Sequence, residues 1–207
     1  MRVRQLNSHP WRVAPLLIAA AFLATPCSAG DGETAYATLA AGCFWCIEAD
    51  LEKVEGVLSV ISGYTGGIVA NPTYKQVSAG TTGHTEAVRI VFDPRIISFE
   101  ELLAIFWRNI DPTEADRQFC DVGEQYRAGI FYHDEEQREE AEKSRAVLEQ
   151  TKPFANPIVT EITAATAFYP AEAYHQDYFK KNPILYSIYR KSCGRDRRLE
   201  ELWGERQ

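Results

Sequence analysis

Along most of the chain, short apolar runs take turns with segments whose apolar positions recur at helical spacing. "AYATLAAG" (35–42) reads as a strand, and the segment behind it carries Ile47, Leu51 and Val54 at core spacing, with Gly56 as a stop. "VLSVISGY" (57–64) is a second strand. A long loop rich in Gly, Asn and Thr (63–83) leads to the strand "HTEAVRIVFDP" (84–94). Ser98-Phe99-Glu100-Glu101 then opens a helix as a capping box, stopped near Asp111-Pro112. A further loop reaches the strand "AGIFYH" (128–133), followed by a charged helix from about Glu135 to Gln150 and a last strand, "PIVTEITAATAF" (157–168). "AEAYHQDYFKKN" (171–182) is the final predicted helix, and an irregular tail with aromatics and a cysteine follows. The order β-α-β-β-α-β is that of a split βαβ, ferredoxin-like unit with elements appended. The predicted fold is α+β, a two-layer sandwich on a mixed sheet.

Length and composition set the frame around this pattern. With 207 residues, 45% of them hydrophobic, the chain fills one sizeable core rather than two, so residues 30–207 are expected to form a single domain. A formal charge of -7 without a basic stripe argues against nucleic-acid binding. Arg2, Arg4 and Arg12 precede an apolar run from Val13 to Leu23, and "ATPCSAGDGE" then offers a small-residue cleavage site near Ala29. Residues 1–29 therefore read as a signal peptide, and the mature chain as exported, with the periplasm as its expected compartment. The apolar run is too short for a stable membrane span. Lipid attachment at Cys27 is the competing reading, disfavoured by Thr25-Pro26 in front of it.

Four cysteines remain after such processing: Cys43, Cys46, Cys120 and Cys193. In an exported chain an even count is compatible with two plain structural disulfides. Cys43 and Cys46, however, flank Phe44-Trp45 where a strand passes into a helix. Free backbone N–H groups at a helix start favour an anion, so the Cys43 thiol is expected to fall from about 8.5 toward neutrality and to be the nucleophile. C-x-x-C beside a βαβ pattern is also a redox-pair signal, although two bulky aromatics between the sulfurs are unusual for one. A zinc site would need four N or S ligands, and no second C-x-x-C or H-x-x-x-H follows, so no metal and no cofactor are expected. Phe44 and Trp45, adjacent on a helix, point to different faces, and at most one of them can be deep core.

The strand "HTEAVRIVF" carries a second candidate. With period two, Glu86 shares a face with Val88, Ile90 and Phe92, which reads as the buried face because Arg89 lies on the other. Desolvation of an inward carboxyl raises its pKa and suits it to donate a proton. His84 and His175 have no evident charge partner in the sequence and are read as scaffold.

Taken together, "GCFWC", "GYTGG", "NPTY", "GHTEAVRIVFDP", "QYRAGIFY" and "HQDYFKKNP" closely resemble the A class of peptide methionine sulfoxide reductases, over about Thr38 to Pro183. The resemblance implies a two-layer α/β sandwich with a ferredoxin-like core. It also implies reduction of the S-epimer of methionine sulfoxide, free or in proteins, with thioredoxin or a thioredoxin-like protein as reductant. By the same resemblance Cys43 attacks the sulfoxide sulfur and Glu86 protonates its oxygen. Tyr74 and Tyr126 hydrogen-bond that oxygen, Asp121 is an acidic member of the same pocket, and Phe44 and Trp45 form the wall that receives the substrate methyl. Cys43 is left as a sulfenic acid, which a second thiol condenses to a disulfide.

Two features depart from the family pattern. Many members have Gly where Cys46 stands, and this tail, "YRKSCGRDRRLEELWG", is not the Gly-rich cysteine tail common among them. The resolving thiol is expected to be Cys193, on the ground that chain ends are mobile, with Cys46 second and Cys120 third. Two other classes stay open on the sequence: a general dithiol-disulfide oxidoreductase using the C-F-W-C pair, and a silent domain whose four cysteines are structural bridges.

Overall fold

The computed structural model describes Met1 and residues 34–204, so the proposed leader, 1–29, lies outside the described residues apart from Met1. The strand of period-two apolar residues at Ala35–Ala41 (β1) runs straight into the helix Phe44–Leu51 (α1), and Val57–Thr65 (β2) follows. A short helix, Tyr74–Ser78 (α2), interrupts the long loop predicted over 63–83 and leads to Thr85–Phe92 (β3). It was not foreseen because Thr73 and Gln76 make a complete capping box inside a segment otherwise dominated by turn residues. The predicted capping box at Ser98 and Glu101 is present and starts Phe99–Trp107 (α3).

A two-residue hairpin, Arg117–Gln118 (β4) with Asp121–Val122 (β5), and a single 3₁₀ turn at Glu124–Tyr126 bring the chain to Ala128–Tyr132 (β6). The charged helix Glu135–Thr151 (α4) packs on α3, and the short strands Glu161–Ala164 (β7) and Tyr169–Pro170 (β8) complete the sheet. The strand predicted over 157–168 is therefore shorter than its apolar run.

The six-stranded sheet has the order β7-β6-β1-β3-β2-β8, and its centre, β6-β1-β3-β2, is antiparallel throughout. This is the fourth-first-third-second order of a split βαβ unit. The parallel pairing of β6 with β7 makes the sheet mixed. One face packs Leu39, Val88, Ile90 and Phe92 against Ile47 and Leu51 of α1 and Leu102, Leu103 and Phe106 of α3, while a smaller cluster of Ala40, Ala87 and Phe131 lies apart. Glu86 belongs to the strand positions that face the main core, between Phe44 and the end of β2.

The carboxy-terminal region departs from expectation. The helix predicted over 171–182 is confined to Tyr178–Lys181 (α5), and the tail, expected to be irregular, is two helices: Pro183–Cys193 (α6) and Arg195–Trp203 (α7). Pro183 sits in the first turn of α6, where its missing N–H costs no hydrogen bond and its fixed φ suits the helix. Gly194, at φ +72°, separates the two helices. Leu199, Leu202 and the whole of Arg195 are buried, which fastens the tail to the domain. Among the described residues no helix is long and apolar enough to cross a membrane.

Candidate active site

Gly42 ends β1 at φ +77°, and a Cβ there would come within 2.5 Å of Gln118 Cβ, so the residue before the nucleophile has to be glycine. That turn places Cys43 at the N-cap of α1, as the sequence predicts, with Cys46 one turn deeper. Both thiols are free and buried, 6% and 2% exposed, and Cys43 opens into a pocket.

The pocket, a cavity of about 70 Å³, is lined by Cys43, Phe44, Trp45, Tyr74, Glu86, Asp121, Tyr126 and Tyr189. It gathers seven of the residues named from sequence, drawn from α1, α2, β3, β5 and the 3₁₀ turn. Phe44 is deep core, whereas Trp45 is half-buried, stacked on Tyr178 at 3.8 Å between centroids and donating its indole N–H to His175 Nδ1 at 3.1 Å. His175 thereby orients the aromatic wall. His84 accepts from Gly67 N–H and bonds the Val69 carbonyl, a scaffold role.

Glu86 is 2% exposed and accepts the backbone N–H of Phe44 through Oε2 at 3.0 Å. Burial pushes its carboxyl up to about 8, against the lowering effect of that hydrogen bond. It is thus protonated at neutral pH, as a proton donor must be. Burial likewise raises the phenols of Tyr74, to about 12, and Tyr126, keeping both as O–H donors. The half-buried Asp121 carboxyl is also raised by burial.

The cysteine pair reverses one expectation. Burial pushes the Cys43 thiol well up, with Cys46 and the charge of Glu86 adding to it; the thiol pulled down, to about 7, is Cys46. The largest cause is its hydrogen bond with Cys43, followed after its own burial by the charges of Arg195 and Arg190. Arg195 is 1% exposed, donates to the carbonyls of Ala41 and Asn109, and lies over the Phe119 ring. The charged form of Cys46 is thus favoured by its neighbour Cys43 and by two arginines of the tail.

Cys193 is not a free, mobile thiol. It ends α6 and is disulfide-bonded to Cys120, 73 residues away in sequence. The ranking that put Cys193 first rested on a loose tail, and the buried Leu199, Leu202 and Arg195 remove that premise. Cys120 is committed to the same bond, and the free thiol touching Cys43 is Cys46. Two residues that the sequence reading left out reach the site from the tail, Tyr189 and Arg195. The signal for Tyr189 was present in the spacing of Tyr186, Tyr189 and Cys193 on one side of a helix, but the segment was read as irregular.

A buried thiol pair beside a protonated carboxylic acid and tyrosine donors, on a ferredoxin-like sheet, is the equipment of a thiol-dependent oxidoreductase. The family model for peptide methionine sulfoxide reductase matches residues 35–207, and the chain belongs to that family. It is 52% identical over 167 residues to peptide methionine sulfoxide reductase MsrA of Listeria monocytogenes, covering 81% of this chain and 94% of that protein. It is 53% identical over 168 residues to peptide methionine sulfoxide reductase MsrA/MsrB of Vibrio cholerae, covering 81% of this chain but 44% of that longer protein. Among solved structures, methionine sulfoxide reductase A of Corynebacterium diphtheriae superposes with a TM-score of 0.69 at 34% identity, over 75% of this chain and 78% of that one.

Proposed function

We propose that the chain reduces the S-epimer of methionine sulfoxide, free or within proteins, to methionine, with Cys43 as nucleophile. The observation that carries this reading is the joint placement of Cys43, the protonated Glu86, Tyr74 and Tyr126 around one small pocket with an aromatic wall. Cys43 Sγ attacks the sulfoxide sulfur while Glu86 gives its proton to the sulfoxide oxygen. Tyr74 and Tyr126 donate to that oxygen as negative charge develops on it, acting as preorganised donors in a site with little water. Phe44 and Trp45 pack against the substrate methyl.

The protonated oxygen then passes from the substrate sulfur to Cys43 Sγ as the bond between the two sulfurs breaks, so methionine leaves with the electron pair and Cys43 becomes a sulfenic acid. Cys46 Sγ then attacks Cys43 Sγ, the hydroxyl departs as water, and a Cys43–Cys46 disulfide forms. Cys46 suits this step because it is the more acidic thiol of the pair and is already in contact with its partner. A thioredoxin-like dithiol returns the disulfide to two thiols. The leader-like residues 1–29 support action outside the cytoplasm, in the periplasm, on exported proteins oxidised there.

Incubation with each epimer of methionine sulfoxide, without reductant, tests the reading. One methionine per chain, from the S-epimer alone, together with loss of the two free thiols, is expected. No methionine with either epimer removes the reductase reading and leaves the general oxidoreductase.

A further inference from the structure

The mechanism above leaves two groups in the pocket unused, Asp121 and Tyr189. Tyr189 comes from α6, sets its ring edge-on to Trp45 at 5.7 Å between centroids, and donates its hydroxyl to Asp121 Oδ2 at 2.6 Å. The same hydroxyl meets the Cys43 thiol. The placement is held from both sides: Cys193, one helical turn beyond Tyr189, is bonded to Cys120, the residue before Asp121. A phenol has one proton and can both donate and accept, so it can stand between a thiol and a carboxylate.

On the sulfoxide reductase reading, we propose that Tyr189 is a further catalytic residue, passing a proton from Cys43 Sγ to Asp121 when the nucleophile is charged. The S–H bond breaks as an O–H bond forms at the phenol oxygen, and the phenol's original proton moves to Asp121 Oδ2. The products are a Cys43 thiolate and a neutral Asp121; no electrons change hands.

Cys43 is 6% exposed and opens only into the pocket that the substrate fills, and its other ionisable neighbours are suited to other tasks. Glu86 holds a proton that the sulfoxide oxygen has to receive. Tyr74 and Tyr126 are high-pKa donors to that same oxygen. Cys46 can take the Cys43 proton, but this neutralises the thiol that must attack next, with Arg195 and Arg190 favouring its charged form. Asp121 has the properties of a proton store: a half-buried carboxyl raised by burial and moderated by Tyr189 and Arg195.

The test compares the wild-type chain with Tyr189→Phe and Asp121→Asn. The pH dependence of Cys43 alkylation by iodoacetamide, read by fragment mass spectrometry, reports thiolate formation independently of turnover. Loss of a hydrogen bond to a charged group shifts the alkylation limb upward by about one pH unit or more in Tyr189→Phe. Single-turnover reduction of methionine-S-sulfoxide at pH 7 falls about tenfold with it, since one pKa unit is one decade of thiolate. Substrate KM changes little, because phenylalanine keeps the contact with Trp45. Asp121→Asn, which leaves the phenol in place, shows the same direction of shift, and the double variant is no worse than the more impaired single one. An unshifted limb and a rate within twofold of wild type in Tyr189→Phe would overturn the proposal. If Tyr189→Phe does not fold, an unshifted limb in Asp121→Asn overturns it instead. A wild-type chain that reduces no sulfoxide defeats the function assigned above, while the alkylation limbs still decide whether Tyr189 carries the Cys43 proton.

Discussion

Phe44 N–H donates to Glu86 Oε2 across 3.0 Å, so the residue directly after the nucleophile holds the carboxyl group that faces it. The bond joins the first residue of α1 to the second residue of β3, 42 positions later. It fixes the acid beside the sulfur while burial keeps that acid protonated to about pH 8.

Glu86→Gln retains the shape and still accepts from Phe44 but has no acidic proton. The single-turnover rate of methionine-S-sulfoxide reduction is expected to fall by roughly 10²–10⁴-fold. Substrate affinity, measured by titration of a Cys43→Ser chain with and without the Glu86 change, should move far less. A drop below threefold in rate would show that Glu86 is not the proton donor.

The pH profile follows from two opposite titrations. The charge of the cysteine pair develops as pH rises through about 7, and the acid form of Glu86 is lost as pH rises through about 8. Single-turnover rate should therefore be bell-shaped with its top between these values, and both limbs belong to interacting groups rather than to isolated ones. In Glu86→Gln the alkaline limb disappears. Its persistence there would assign that limb to another group.

Cys46→Ser should release one methionine per chain and then stall with sulfenic acid on Cys43 when thioredoxin is the only reductant. Cys193→Ser should pass beyond one equivalent, because Cys193 is bonded to Cys120 and not to the nucleophile. Quantifying methionine and trapping sulfenic acid with dimedone separates the two outcomes; a stall in Cys193→Ser alone would restore the tail thiol as the resolving group.

The Cys120–Cys193 bond closes a loop with a sequence separation of 73. Removing it by Cys193→Ser should lower unfolding stability by about 2–4 kcal/mol, chiefly by freeing the unfolded chain. Urea denaturation of the two chains without reductant measures this, and equal midpoints would show that the bond constrains little.

Glu48 of α1 is 1% exposed, accepts the Asp177 N–H at 3.2 Å, and is pushed by burial from its ordinary 4.5 up to about 7. The folded state then binds more proton than the unfolded one between those values. The stability this provides is full below about pH 4.5, is lost as pH rises toward 7, and is constant above. Glu48→Gln keeps the acceptor and removes the charge, so relative to wild type it should gain about 1–3 kcal/mol between pH 5 and pH 8. Urea midpoints at the two pH values check the sign.

What the sequence determined by itself was local. Period two in "HTEAVRIVF" put Glu86 with Val88, Ile90 and Phe92, because strand side chains alternate whatever the strand later packs against. The C-x-x-C at a strand-to-helix junction and the capping box at Ser98 were likewise set by residues within a turn of each other. Tertiary structure decided what depends on distant segments. The Cys43 thiol rises rather than falls because it is buried at a pocket walled by Tyr74, Tyr126 and Tyr189, and burial, with the neighbouring Cys46 and Glu86, disfavours its charge. The pairing of Cys120 with Cys193, and the arrival of Tyr189 and Arg195 at the thiols, followed from the tail folding as α6 and α7 and burying Leu199 and Leu202. Local periodicity does not encode which sulfur meets which, since that depends on where two separately formed elements come to rest on a shared core.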